Sequence, residues 1–317
     1  MTVVSGQPFT FEEFEEILNR SLFVEERKAL IERLIKHPER FTGLFRPSTP
    51  EEKILQNIIQ SKEIKFGDAF EKIIDQILRK SGYTPLEKEL GGELKCDHLF
   101  ESPDGQRILL IEQKMRNDHD STKRVGQFSN FEKKIRYVLN KIININHSYL
   151  YAIMYFVDPK QRKNMKYYQE QSKQLTTYFT SIKNINIKIE ILYGNELFEF
   201  LSGVSSICIS WDTLISWLQQ WKSQLSRGQL IQVNWETEDI LSEMKALARE
   251  NPAIFSKLTE QRILWEEGVI RALFPTGSGL EAICEELNSI QNPRSRKVAE
   301  QLRKSIEKYY SSSEESG

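Results

Sequence analysis

The dipeptide Asp104-Gly105, which lies between two apolar segments, is the feature that most constrains the fold of this chain. It is typical of a two-residue type I′ hairpin turn, because both central positions need a positive φ that Asp tolerates and Gly adopts freely. Such a turn fixes the register of the flanking strands, so that Leu99 faces Leu110. The segment 97–114 is therefore predicted to form an antiparallel hairpin.

The same register places Asp97 opposite Glu112, with their Cβ atoms roughly 5 Å apart. Because side chains alternate along a strand, Lys114 shares this face and Gln113 points away. Two opposed carboxylates repel one another unless a cation lies between them, and Mg²⁺ takes about one or two protein carboxylates and completes its shell with water and phosphate oxygens. A surface ion triad has the same spacing. However, the apolar run 108–111 is typical of a buried strand, where charges are costly unless they serve a function.

Asp97 and the tripeptide Glu112-Gln113-Lys114 resemble the motif of the PD-(D/E)xK nuclease superfamily, in which an Asp near a strand end is followed, after a turn, by (D/E)-x-K. Cys96 stands where the name of the motif has Pro. The predicted order of helix, hairpin, helix, strand, helix and strand also resembles this superfamily. Within it, the segment 114–128 is most similar to the one that follows the catalytic Lys in HindIII-like type II restriction endonucleases.

The resemblance implies an α/β fold, with a restriction-endonuclease-like mixed β-sheet core flanked by helices and with helical N- and C-terminal additions. It implies Mg²⁺-dependent hydrolysis of double-stranded DNA at a specific short sequence by a homodimer, whose two-fold symmetry matches that of a palindromic site. Asp97, Glu112 and the backbone carbonyl of Gln113 would hold the metal, and Lys114 would orient the attacking water. Glu71, on the helix before the hairpin, would support the metal site or hold a second ion.

The segment after Lys114 contains the candidate DNA contacts. Asp120 is expected to cap a helix over 121–144, which would leave the amide of Ser121 available to a phosphate if the cap is displaced. Arg116 lies in the loop before this helix. One face of the helix carries four residues that can bond phosphates or base edges, namely Lys123, Arg124, Gln127 and Asn130. A solvated helix face explains these four residues equally well, and their position beside the triad favours DNA contact.

Hydrophobic periodicity predicts the remaining elements and a division of the chain. Helices are expected over 10–37, 51–59, 66–80 and 160–180, and strands over 83–90, 149–157, 185–193 and 207–211. Four regions follow: a helical region 1–60, the nuclease core 61–226, a C-terminal helical region 227–310 and a disordered tail 311–317.

Composition excludes several classes of protein. No apolar run approaches the roughly 18 residues of a membrane span, so a cytoplasmic location without membrane contact is expected. Three cysteines without paired spacing indicate neither a disulfide framework nor a zinc site. No glycine-rich phosphate loop follows any predicted strand, which removes the common nucleotide-binding enzymes. The net charge of −1 counts mildly against a nucleic-acid binder, although a folded cleft can concentrate positive charge.

Two alternatives share the predicted core. A DNA repair or recombination nuclease would use the same residues, and a catalytically inactive DNA-binding protein could have the same fold. The intact set of Asp97, Glu112 and Lys114 argues against the inactive protein, because a binding module needs none of this geometry. The leading interpretation is therefore a type II restriction endonuclease.

Overall fold

The computed structural model describes residues 8–23, 26–43, 47–117, 120–183, 185–225 and 233–310, so the predicted tail 311–317 lies outside it. The chain divides into two compact units. Unit 1 comprises Met1–Ser21 and Lys65–Leu225, and unit 2 comprises Leu22–Ile64 and Ser226–Gly317. Each unit thus joins segments that are distant in the sequence. No helix of the described chain is long and apolar enough to cross a membrane.

Helices dominate the secondary structure of the described residues. In chain order they are α1 (Phe11–Phe23), α2 (Glu26–Lys36), α3 (Pro50–Lys80), α4 (Ser121–Tyr137), α5 (Met165–Ile182), α6 (Asn195–Val204), α7 (Trp211–Gln224), α8 (Glu238–Glu250), α9 (Pro252–Glu260), α10 (Arg262–Glu266), α11 (Val269–Leu273), α12 (Ser278–Ser289) and α13 (Pro293–Tyr310). A 3₁₀ turn forms at Pro38–Arg40, and α4 continues as a π-helical turn at Val138–Ile142.

Unit 1 is built on a mixed five-stranded sheet. The strands are β1 (Thr84–Pro85), β2 (Glu89–Gly91), β3 (Leu94–Lys95), β4 (His98–Glu101), β5 (Arg107–Lys114), β6 (Tyr149–Phe156) and β7 (Asn186–Tyr193). The main sheet has the order β1-β4-β5-β6-β7, and β2 pairs with β3 in a small second sheet. Strands β5, β6 and β7 are parallel, whereas β4 is antiparallel to β5.

Both faces of the main sheet are covered by helices. On one face, Leu110 of β5 belongs to an apolar cluster with Phe131 of α4 and Leu175 of α5. On the other face, α3 contacts β4, where the guanidinium of Arg79 lies 6.0 Å from the ring centre of Phe100. This arrangement confirms the predicted α/β class, a mixed sheet flanked by helices with further helices towards both ends of the chain.

The hairpin has the predicted register but a different turn. Leu99 pairs with Leu110, as expected. The predicted two-residue type I′ turn is wrong. The Gly105 N–H bonds to the Ser102 carbonyl (2.8 Å), so the turn runs from Ser102 to Gly105, with Pro103 at its second position and Gly105 at its fourth, with φ +66°. Proline has its φ fixed near −65° and favours the second position of a turn, so the turn begins one residue earlier.

Two other predicted elements differ. α3 is one helix of 31 residues, where helices over 51–59 and 66–80 were predicted, because the connecting residues 60–65 include neither Gly nor Pro. No strand forms over 207–211. The Cys208 N–H bonds instead to Ser81 Oγ at the end of α3 (3.0 Å). Short apolar runs do not distinguish a strand from other buried backbone.

Among its described residues, unit 2 contains helices joined by loops and no β-strand. Its core is a single apolar cluster to which α2, α8, α9, α12 and α13 contribute, together with the start of α3. Trp235 is fully buried in this core, where its ring meets that of Phe274 edge to face at 5.8 Å. The chemistry-bearing residues of the hairpin all lie in unit 1.

Candidate active site

The hairpin brings Asp97, Glu112 and Lys114 together at the open end of β4 and β5. Asp97 lies just before β4, and its Oδ2 accepts a hydrogen bond from the Gln113 N–H at 2.7 Å. A side-chain oxygen thus continues the pairing where the backbone ladder ends. Glu112 and Lys114 point to the face of the sheet that α4 covers, since they alternate with Gln113 along β5.

The ammonium group of Lys114 lies where three oxygen atoms converge. Its Nζ is 2.7 Å from the Gln113 carbonyl oxygen, 2.8 Å from Glu112 Oε1 and 3.3 Å from Asp97 Oδ2. Burial opposes the charged form of Lys114, but the negative charges of Glu112 and Asp97 outweigh this effect and raise its pKa. The site therefore holds a cation between two carboxylates.

A second lysine, which the sequence analysis missed, binds Glu112 from α4. Lys134 is buried, and its Nζ bonds to Glu112 Oε2. The sequence does contain a sign of this contact. Lys134 lies three residues after Phe131 and four before Val138, so it is on the apolar stripe of the helix. A lysine in such a stripe needs a buried partner.

A buried polar network supports the back of the hairpin. The ring of His98, which has no exposed surface, bonds to Asp75 of α3 through Nδ1 and to Gln113 Oε1 through Nε2, the latter at 3.3 Å. The Lys88 ammonium also binds Asp75, at 2.6 Å. Burial opposes ionisation of Asp75, but the bonds from His98 and Lys88 prevail and lower its pKa. α3 is thereby tied to both strands of the site.

Glu71 lies one helical turn before Asp75 and is half-buried. Burial, followed by the charge of Asp97, raises the pKa of Glu71 to about 7. The structure therefore brings this predicted site residue into the electrostatic field of Asp97 and Lys114.

The oxygen donors around Lys114 suit a hard divalent cation. No group of three or more His, Cys, Asp or Glu side chains in the described part of the chain has the geometry of a metal centre. The donors here are instead two carboxylates and one backbone carbonyl, the Asp97, Glu112 and Gln113 oxygens that already surround an ammonium. Mg²⁺ is commonly bound through few protein ligands, with water and phosphate completing its shell, so this set fits the ion.

The predicted DNA contacts fall into two groups. Arg116, Ser121, Lys123 and Asn130 have exposed side chains. Asp120 caps α4 as predicted, because its carboxylate accepts the Lys123 N–H at 2.8 Å. Arg124 and Gln127, however, bond to α5 and to the residue before it. Arg124 Nη1 donates to Asn164 (3.2 Å), its guanidinium lies 4.6 Å from the ring centre of Tyr167, and Gln127 accepts from the Tyr168 hydroxyl (3.0 Å).

Comparison with known proteins identifies a family. The family model described as "Type II restriction endonuclease, HinfI" matches residues 10–93 and 86–222, which is more than half of the chain. The second matched segment contains Asp97, Glu112 and Lys114. No curated protein matches the chain.

Proposed function

The chain belongs to the HinfI family of type II restriction endonucleases, and on that premise we propose that it hydrolyses double-stranded DNA at a specific short sequence with Mg²⁺ as its cofactor. Membership makes the protein a nuclease that acts on DNA. We propose the dependence on Mg²⁺ and the residue roles below. We also propose that the chain belongs to the PD-(D/E)xK superfamily and is similar to HindIII-like enzymes.

The observation that carries this proposal is the convergence of three oxygen atoms on the Lys114 ammonium group. These atoms, from Asp97, Glu112 and the Gln113 carbonyl, are the donors that would hold Mg²⁺. When bound, the ion polarises the scissile phosphate and lowers the pKa of a coordinated water. For the ion to bind there, the flexible side chain of Lys114 has to withdraw its ammonium from between the carboxylates.

Lys114 then acts from beside the metal site. Its backbone is held in β5, so the displaced ammonium stays within reach of an attacking water or a nonbridging phosphate oxygen. Donation from this ammonium neutralises the negative charge that develops on the phosphate in the transition state. Lys134 keeps Oε2 of Glu112 occupied, which leaves Oε1 directed towards the site.

Glu71 supports the same reaction from α3. A carboxyl group with a pKa of about 7 exchanges its proton readily near neutral pH. We assign Glu71 the role of taking up or releasing a proton beside Asp97, or of binding a second cation once it is ionised.

The DNA duplex would lie against the start of α4, where it would contact the exposed side chains of Arg116, Ser121, Lys123 and Asn130 through its phosphates or bases. Arg124 and Gln127 would contact DNA only after exchanging their present partners on and beside α5.

We further propose that two copies of the chain act as a homodimer on a palindromic site. Within each copy, we propose that the segment 61–226 is the catalytic region and that the segments 1–60 and 227–310 are helical additions to it.

Incubation of the purified protein with unmethylated phage DNA, with Mg²⁺ or with EDTA, tests this function. Discrete fragments that form only with Mg²⁺ are expected. A metal-dependent smear would overturn sequence specificity, and intact DNA with a folded protein under every condition would overturn the nuclease assignment.

A further inference from the structure

A cluster of lysines borders the candidate active site in the segment 158–166, which leads from β6 into the first turn of α5. We call this the lysine segment. Lys160, Lys163 and Lys166 are its exposed lysines. None of them was assigned a role from the sequence.

Backbone hydrogen bonds fix the lysine segment beside the residues that follow Lys114. The Val157 N–H donates to the Lys114 carbonyl and the Asp158 N–H to the Met115 carbonyl, both at 2.9 Å. Further along, the Lys163 N–H donates to the Asn117 carbonyl at 3.2 Å. The segment therefore lies at the carboxyl ends of the parallel strands, the edge at which open α/β sheets bind their ligands.

Among the described residues, no carboxylate neutralises the charges of the three lysines. In the part of the chain that the structure describes, none of the three forms a salt bridge, whereas Arg162 between them bonds to Glu196 at 2.8 Å. Asp158 is the one acidic residue of the segment, and its Oδ1 accepts the backbone N–H of Lys160 at 2.8 Å. In a chain with a net charge of −1, this is a local excess of positive charge beside the site.

The contacts of Arg124 and Gln127 explain how the segment is held. Arg124 bonds to Asn164 within the segment and stacks on Tyr167, while Gln127 accepts from Tyr168. These contacts anchor the start of α5 to α4. The lysines therefore project from an ordered backbone, and binding an anion does not require that the backbone first be ordered.

We propose that the lysine segment binds the DNA backbone next to the scissile phosphate, with the ammonium groups of Lys160, Lys163 and Lys166 each contacting a phosphate. This inference rests on the proposed function, because it takes duplex DNA as the ligand of the adjacent site. Lysine is a compact point charge, so these contacts supply affinity and position on the duplex and carry no sequence preference. Arg124 and Gln127 serve as positioning residues for the segment.

The salt dependence of DNA binding tests this inference. Fluorescence anisotropy with a labelled duplex in EDTA gives the slope of log affinity against log salt concentration without hydrolysis. Each phosphate contact contributes about −0.9 to this slope. Changing Lys160, Lys163 or Lys166 to Ala is expected to make the slope less steep by about 0.9 each, and by about 2.7 in the triple variant.

Lys183→Ala is the matched control, because it removes the same charge at the opposite end of α5, where the Lys183 ammonium bonds to Asn140 at 2.8 Å. It is expected to keep the wild-type slope. A folded triple variant with the wild-type slope, or a control that changes the slope as much as a single variant, would overturn the inference while leaving the nuclease function intact. A wild-type protein that binds no DNA at low salt would instead overturn the proposed function.

Discussion

Lys134 and Glu112 form a buried ion pair in which the ammonium of α4 binds Oε2 while Oε1 of the same carboxylate binds Lys114. Each oxygen of Glu112 therefore has a different partner, and the two lysines determine its orientation. Because the side chain of Lys134 is 8% exposed and that of Glu112 is 11% exposed, water cannot readily replace either partner. The pair joins the packing of α4 to the geometry of the site.

Lys134→Met is expected to destabilise the fold, because it leaves one oxygen of a buried carboxylate without a partner. Breaking such a pair costs about 3 kcal/mol or more, so the free energy of unfolding in urea should fall by this amount. Lys133→Met, which removes an exposed charge from the same helix, is the control and should change stability by less than about 0.5 kcal/mol. Equal stability of the two variants would contradict a structural role for the pair.

Asp97→Ala and Lys114→Ala should each abolish DNA cleavage while the protein stays folded. The first removes a proposed metal ligand, and the second removes the charge proposed to stabilise the transition state. Initial rates on a plasmid carrying the recognition site, together with circular dichroism, provide the measurement, and Lys133→Ala serves as the control. A folded variant that cuts at the wild-type rate would refute the assigned roles.

Asp75→Asn should destabilise the protein in a pH-dependent way. The pKa of Asp75 is lowered below its ordinary value of 3.8, so its ionised form contributes stability above pH 3.8 that is lost as the pH falls through the lower folded pKa. The stability difference between wild type and variant should therefore be largest near pH 7, at about 1 to 3 kcal/mol, and shrink below pH 3.8. Urea unfolding at pH 3, 5 and 7 measures this difference in stability. A difference that grew on acidification would contradict the claim that ionised Asp75 stabilises the fold.

Glu71→Gln should have the opposite dependence in metal-free protein. The pKa of Glu71 is raised from 4.5 to about 7, so the folded state loses stability as the pH rises between these values and the carboxyl ionises in a half-buried place beside Asp97. The variant lacks this penalty. With EDTA present, its stability relative to wild type should rise from pH 4.5 to pH 8, and a pH-independent difference would contradict the burial of a titrating carboxyl.

The hairpin was predictable because strand periodicity and a turn signal together determine which side chains share a face. Leu99 and Leu110 pair as the sequence predicted even though the turn starts one residue earlier, at Ser102. The strand predicted over 207–211 failed because Cys208 bonds to Ile77 and Ser81 at the end of α3 instead of to a neighbouring strand, which a local pattern cannot reveal. The continuity of α3, by contrast, was readable locally, because residues 60–65 contain no Gly or Pro that would end a helix.

The sequence pattern itself predicted the candidate site only where its residues are close in sequence, whereas Glu71 came from the family resemblance. Asp97, Glu112 and Lys114 follow from one hairpin, whereas Lys134 reaches Glu112 from another element and depends on how α4 packs on the sheet. Arg124 has the side chain of a DNA contact, and the sequence gives no sign that Asn164 and Tyr167 bind it. Partners supplied by distant segments require the assembled fold.

The most direct test of the proposed metal site is the affinity of Lys114→Met for Mn²⁺, measured by electron paramagnetic resonance without DNA. The three oxygens of the site now surround an ammonium. Removing this charge should tighten Mn²⁺ binding by about 30-fold, because unit charges about 4 Å apart interact by about 1 kcal/mol even in water, which doubles to about 2 kcal/mol for a divalent ion. Adding Asp97→Asn to this variant should abolish the gain. Equal Mn²⁺ affinity in wild type, Lys114→Met and the double variant would contradict a cation site formed by Asp97, Glu112 and Gln113.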